Sequence, residues 1–385
     1  MAGTRIGTNY LGSRMNSEND GILGAKKMTT RASQRAALAS IGNKVSLAPA
    51  EGKKGMKKEV VKPNKVLTKS NATTSLQTAL VHKEKVQEKV YSPMEVSKSN
   101  AYSKCRLNFE DIDKNDGDNP QLVSEYVNDI YGYMRHLEVE YAVKPSYLDG
   151  QEVNPRMRSI LVDWLVQVHL RFHLLQETLY LTVAIIDRFL QVHEVSRNKL
   201  QLVGVTSMLV ASKYEEMYAP EIADFVYITD NAYSKSDIRK MEILILKTLE
   251  FNLGKPLPLH FLRRNSKAGQ VDPTKHTLAK YLMELTITDY ESVQYTPSQI
   301  AAGALCLSIR TLDGDGDWSD TLHHYSNYSE ENLMPVMRRM ATLIMKSENS
   351  KLQAIRTKYS TSKFNKISSI PQLKSSVITD LVKES

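Results

Sequence analysis

Residues 157–168 read MRSILVDWLVQV, and the reading of the whole chain starts there. Apolar side chains fall at Met157, Ile160, Leu161, Trp164, Leu165 and Val168. These three- and four-residue steps paint one helical stripe. Asn154-Pro155, just ahead, supplies an N-cap and a proline at the first helical position. Two charges, Arg158 and Asp163, interrupt the run. An arginine on a core-facing helix needs a carboxylate to meet it, because an unpaired buried charge is too costly to keep.

Downstream, four more helical patterns follow at short intervals. They cover about 177–192, around LYLTVAIIDRFL, then 196–216 with Ser196 as its cap, a shorter 220–229, and 234–251. In the last, Ser234 and Asp237 have the spacing of a capping box. Strand alternation is absent, so an all-α bundle of five helices is expected. Beyond Pro256 and Pro258 the pattern restarts. Asp272-Pro273 opens a helix through Thr288, Thr296-Pro297 opens another with Gln299 at the capping-box position, and helices are expected near 329–348 and 350–359.

The two halves carry a faint repeat. LVGVTSML at 202–209 resembles IAAGALCL at 300–307, and each follows an Asp-ended helix (Asp187, Asp289). Small residues at the centre let neighbouring helices approach closely, so this helix should be the buried axis of each bundle. Two copies of one five-helix unit are therefore predicted, over 118–255 and 256–375, with a flexible terminus at 376–385. Upstream, Leu122, Tyr126, Ile130, Met134 and Leu137 predict one amphipathic helix over 119–141, lying against a larger body.

Charge divides the chain differently. Residues 1–108 hold 20 Lys+Arg against 7 Asp+Glu, a net of +13, which leaves −5 for the rest of a chain whose total is +8. The stretch 1–104 has no Trp, no Phe and three Tyr. It cannot bury enough apolar surface to offset the entropy of ordering, so 1–117 is expected to be a disordered basic tail. GKKGMKKE at 52–59 reads first as a solvated charge run, with a nuclear-import or nucleic-acid patch as the other reading. Ser92-Pro93 is a candidate proline-directed phosphosite, where a phosphate would put nearly two negative charges into that basic tail. Two cysteines, Cys105 and Cys306, exclude a disulfide scaffold and fit a reducing compartment. No apolar run reaches membrane-spanning length and no signal-peptide core opens the chain, so a soluble intracellular protein is expected, with no membrane partner.

No catalytic constellation is present. The chain lacks a glycine-rich phosphate loop, a nucleophile elbow and a metal-spaced His/Cys set; the adjacent His323-His324 reads as surface polarity. No enzyme activity, metal or cofactor is expected.

What the chain does contain is a resemblance. RMRSILVDWLVQVHLRF, ETLYLTVAIIDRFL, NKLQLVGVTSMLVASKYEE and IRKMEILILKTLEF together resemble the cyclin box, and FLRRNSKAG with Gln167 in place of an acid is similar to the B-type mitotic branch of the cyclin family. The resemblance spans about 119–373. It implies two tandem cyclin boxes and a non-catalytic regulatory subunit that forms a heterodimer with a mitotic cyclin-dependent kinase and activates it at the G2/M transition. It implies a structural ion pair between Arg158 and Asp187. It implies kinase contacts from Lys213 and Glu242, with Val210, Tyr214, Leu246 and Leu253 as an apolar socket. Met157, Leu161, Trp164 and Gln201 match an exposed patch that docks Arg-x-Leu substrate peptides, with weaker attraction for the arginine because of Gln167. RAALASIGN at 35–43 is similar to a destruction box, with Arg35, Leu38, Ile41 and Asn43 at the family spacing, which implies removal through a ubiquitin ligase of the anaphase-promoting type. Residence in cytoplasm and nucleus goes with that role. On the residues alone two other readings stay open. A transcription factor built of two such repeats should be basic where this chain is acidic, so no specific nucleic-acid partner is expected. A helical adaptor for a non-kinase partner is separated only by a binding test.

Overall fold

The computed structural model describes residues 111–314 and 316–383. The segment with Arg35, Leu38, Ile41 and Asn43, and with Ser92 and Cys105, lies outside the described residues. Within them the chain is helical, with no strand.

The first bundle is α2 (Pro155–Arg171), α3 (Gln176–Val192), α4 (Leu200–Glu215), α5 (Ile222–Ile228) and α6 (Lys235–Thr248), preceded by α1 (Val127–Glu140). Asn154 caps α2 by accepting from the Met157 amide, with Pro155 at its first turn. Ser234 and Asp237 form a reciprocal capping box on α6. Ser196 departs from expectation: its hydroxyl bonds Asn198 at 2.6 Å, and a short 3-10 turn, Arg197–Lys199, intervenes before α4. The axis is α4, with every residue from Leu202 to Ser212 buried. Gly204 is what lets α2 reach it: a Cβ there would sit 2.8 Å from Leu161 Cδ1.

The second bundle repeats the plan with α7 (Pro258–Ala268), α8 (Pro273–Thr288), α9 (Pro297–Asp313), α10 (Asp320–Ser326) and α11 (Glu330–Ser347). Its axis is α9, and Gly303 there faces Val336 of α11 as Gly204 faces Leu161. Helices α7 and α10 were not expected; α7 lies just beyond the prolines read as a break, with Pro258 at its first turn. Thr296 caps α9 through the Gln299 amide, but the Gln299 side chain leaves for the Asn332 carbonyl, so no capping box closes. The pattern expected near 350–359 is a shorter helix, α12 (Ala354–Tyr359).

Two expectations at the ends are corrected. The terminus at 376–385 is not a free end: α13 (Ser376–Lys383) buries Ile378 and Leu381. Structure also begins before 118, because Asp113 bonds both Arg264 guanidinium nitrogens at 2.6 Å. Helix α1 starts later than predicted, and only the later part of its expected stripe, Met134 and Leu137, is half-buried. Leu122, Tyr126 and Ile130 are exposed. The face that docks is polar: Tyr131 donates to the His260 carbonyl, Arg135 to the Ser326 carbonyl, and Glu138 accepts from the Ser298 amide and hydroxyl at 2.9 and 2.6 Å.

Candidate partner-binding surfaces

Arg158 of α2 and Asp187 of α3 meet in the core. The guanidinium donates from Nε to Oδ1 at 2.6 Å and from Nη2 to Oδ2 at 2.7 Å, while Nη1 reaches the Ile287 carbonyl of the second bundle at 2.9 Å. The Tyr147 hydroxyl adds a bond to Asp187 at 2.7 Å. Burial alone would lower the arginine's pKa; the Asp187 carboxylate overrides it and holds the charge firmly on. In the second bundle Asp289 is met by Arg339 of α11, with Nε to Oδ2 at 2.8 Å. Both pairs fix the end of the second helix of their bundle, so they are structural.

A different kind of pair lies at the surface. Lys213, at the last turn of α4, donates to Glu242 Oε1 of α6 at 2.6 Å. The lysine side chain is 48% exposed and the glutamate 15%. Tyr214 beside it is 55% exposed, and its hydroxyl lies over Gly254, which brings it to Leu253. Leu246 and Leu253 are half-buried. Val210 is corrected: at 3% exposure it belongs to the core beneath the surface and presents nothing to a partner. Four exposed apolar residues that the sequence reading did not single out lie near these in the chain: Met217, Tyr218, Ile243 and Phe251. Met217 and Tyr218 follow α4 directly, and Ile243 neighbours Glu242 on α6. A usable signal was KYEEMY, an aromatic-rich loop opening straight after a buried helix. Glu216 in that loop is already engaged, accepting from the Leu175 amide and Thr178 hydroxyl at the start of α3.

The second candidate surface runs along α2. Met157 and Trp164 are half-buried on one stripe, and Gln201 at the start of α4 is half-buried too. Leu161, expected in the exposed patch, is corrected: it is 1% exposed and packs on Gly204. Gln167 turns inward toward Asp163, donating to Oδ2 at 3.4 Å.

Comparison with known proteins follows the same boundaries. The family profile "Cyclin, N-terminal domain" matches residues 129–254, and "Cyclin, C-terminal domain" matches 256–373. G2/mitotic-specific cyclin-B of Patella vulgata is 60% identical over 389 residues, covering 95% of each chain. The cyclin-B of Spisula solidissima is 56% identical, covering 92% of this chain and 91% of that one. Cyclin-B2 of Anguilla japonica is 62% identical over 283 residues, 73% of this chain and 72% of that one.

Proposed function

The chain belongs to the G2/mitotic B-type branch of the cyclin family, a regulator of cyclin-dependent kinases, and on that premise we propose how it acts. The single observation that carries the proposal is the Lys213–Glu242 pair at the surface, with the exposed Tyr214 and Ile243 next to its two members in the chain. An isolated surface ion pair holds little free energy, because water already solvates both charges. This one can therefore open at small cost and offer an ammonium and a carboxylate to the backbone ends of a partner helix. Charge-assisted bonds are worth roughly 1.5–3 kcal/mol each once water is excluded, and the surrounding apolar side chains exclude it.

The partner helix is the kinase helix that carries its catalytic glutamate, whose ion pair with the ATP-gripping lysine must be in place for phosphoryl transfer. Binding the inward position of that helix better than the outward one shifts the kinase toward its active state. The cyclin contributes binding free energy and no reacting group. A non-catalytic role is part of this proposal, as is substrate docking on Met157, Trp164 and Gln201. With Gln167 neutral and turned inward, that surface selects peptides by apolar fit more than by an arginine. The segment 35–43 is proposed as the signal for destruction, and cytoplasmic and nuclear residence as the setting.

The test is reconstitution of the full chain with a monomeric mitotic cyclin-dependent kinase and a histone peptide. Wild type is expected to raise phosphate transfer by orders of magnitude. Lys213→Ala with Glu242→Ala is expected to abolish the rise with the melting temperature unchanged; normal activation by that variant would overturn the contact assignment. In the same assay Trp164→Ala should slow only substrates that carry an apolar docking sequence, and equal loss on every substrate would place Trp164 in the core. In mitotic extract, Arg35→Ala with Leu38→Ala should prolong the lifetime of the chain; an unchanged lifetime removes 35–43 from the proposal.

A further inference from the structure

Between the two bundles lies a cleft of about 90 Å³. Val183 and Ala184 of α3 form one wall, Ile287 and Ile300 the other, and the linker Lys255–Pro256 crosses it. Much of the lining is apolar, and the Arg158–Asp187 pair, Tyr180, Thr286, Ser292 and Tyr295 line it beside the linker lysine. Burial pushes the Lys255 ammonium down to about 8. Among the described residues no hydrogen-bond acceptor is placed on that ammonium.

The charges around it explain why. Two carboxylates lie within electrostatic range, Asp187 and Glu138, and Arg188 adds a second cation. Asp187 already accepts from Arg158 Nε and Nη2 and from the Tyr147 hydroxyl. Glu138 accepts from the Ser298 amide and hydroxyl. Arg188 is spent on the Asn252 carbonyl at 2.6 Å and on the Tyr141 ring. Lys255 is thus a cation of an inter-bundle cleft whose carboxylates already serve other donors.

We propose that this cleft is a binding site for a carboxylate on a short apolar stem, with Lys255 as the cation that receives it. The volume matches the chemistry. Room for about three water molecules also holds a carboxylate on a stem of three or four carbons. A partner anion restores what burial takes from the ammonium, and the apolar stem meets Val183, Ile287 and Ile300. A free short-chain carboxylic acid and the glutamyl side chain of an extended peptide share this chemistry. Either would bridge the two bundles at their linker, on residues other than Lys213, Glu242 and Trp164.

The experiment uses the full chain with ¹³C-labelled lysine, the Lys255 ε-carbon signal being identified by its loss in Lys255→Met. Three probes are titrated: butyrate, its uncharged isostere butyramide, and a capped Gly-Gly-Glu-Gly-Gly peptide. Butyrate is expected to shift the Lys255 signal saturably, with binding at least roughly tenfold tighter than butyramide. Butyrate should raise the melting temperature of wild type, while Lys255→Met should keep its own melting temperature and gain nothing from butyrate. Tighter binding of the glutamyl peptide than of butyrate assigns the site to a peptide source; the reverse assigns it to a free acid. A Lys255 signal that stays still while other lysines move, or equal response to butyrate and butyramide, overturns the proposal.

Discussion

Asp163 shows how much one side chain can decide. It lies on α2, 6% exposed, and its Oδ1 accepts the Ala354 amide at 2.9 Å. Ala354 opens α12, whose own cap residue, Gln353, makes no side-chain cap bond. A carboxylate of the first bundle thus caps a helix that follows the second. Burial raises its pKa from 3.8 to about 6, against the lowering effect of that amide. The folded state therefore holds a proton that the unfolded chain releases above about 4. Stability from this group is greatest in acid and falls as pH rises from about 4 to 6, by an amount on the order of 3 kcal/mol in all. His169 pulls the other way: burial first, then the Lys358 charge, lowers it to about 3, so its contribution is lost as pH falls below its ordinary range. Comparing wild type with Asp163→Asn isolates the carboxylate, because the asparagine keeps an oxygen for the Ala354 amide. Denaturant unfolding at pH 4 and pH 7 should show the variant gaining on wild type as pH rises. A difference that stays constant between the two pH values would mean the carboxylate is ionised throughout.

At the scale of elements, each bundle rests on a glycine at the waist of its central helix, and the two waists are not equally forgiving. A Cβ at Gly204 meets the end of the Leu161 side chain, which can swing to another rotamer. A Cβ at Gly303 falls well inside contact distance of Val336 Cγ1. Valine on a helix has essentially one χ1, so it cannot move aside without moving α11. Glycine-to-alanine gains up to about 1 kcal/mol in helix propensity, while overpacking costs about 1–3. Gly204→Ala should come out near neutral and Gly303→Ala clearly destabilised, read as urea midpoints; equal midpoints would mean that α11 yields as easily as Leu161 does. What the sequence discloses at this scale follows from which rules stay local. Caps are local, so Asn154-Pro155, Ser234 with Asp237 and Asp272-Pro273 mark their helices directly. Helix α1 was misjudged because its docking face carries Arg135 and Glu138, which bond only to groups more than 150 residues away. Helix α7 went unseen because Arg263-Arg264-Asn265 looks like surface, yet Arg264 is 7% exposed and held by Asp113. The candidate site residues were named one by one through family resemblance. That Leu161 and Val210 point into the core while Met217 and Tyr218 stand out depends on how α2 and α4 rotate against each other, and no short window of sequence states that rotation.

At the scale of the whole molecule, the bundles are joined by polar contacts set in apolar surroundings. The tightest of these centres on Glu284 of α8, which is completely buried. It accepts two bonds from the Lys358 ammonium at 2.7 and 2.9 Å, one from the Tyr359 hydroxyl at 2.7 Å, and one from the Gln176 amide. Gln176 begins α3 in the first bundle, and Lys358 and Tyr359 end α12, so one carboxylate ties three parts of the chain together. Removing one partner of such a pair leaves a charge in the core with nothing to answer it, which costs about 3–5 kcal/mol; removing both costs far less. Lys358→Met should therefore lower the unfolding midpoint sharply, and Lys358→Met with Glu284→Gln should recover most of the loss. Hydrogen exchange gives the reach of the effect. If Glu284 couples the bundles, amides at the start of α3 and along α12 should lose protection together in Lys358→Met, although the substituted residue lies only on α12. Loss confined to α12 would mean that the bundles are held by Arg158 donating to the Ile287 carbonyl and by the Leu148 amide donating to the Tyr290 hydroxyl, and that Glu284 serves the C-terminal segment alone.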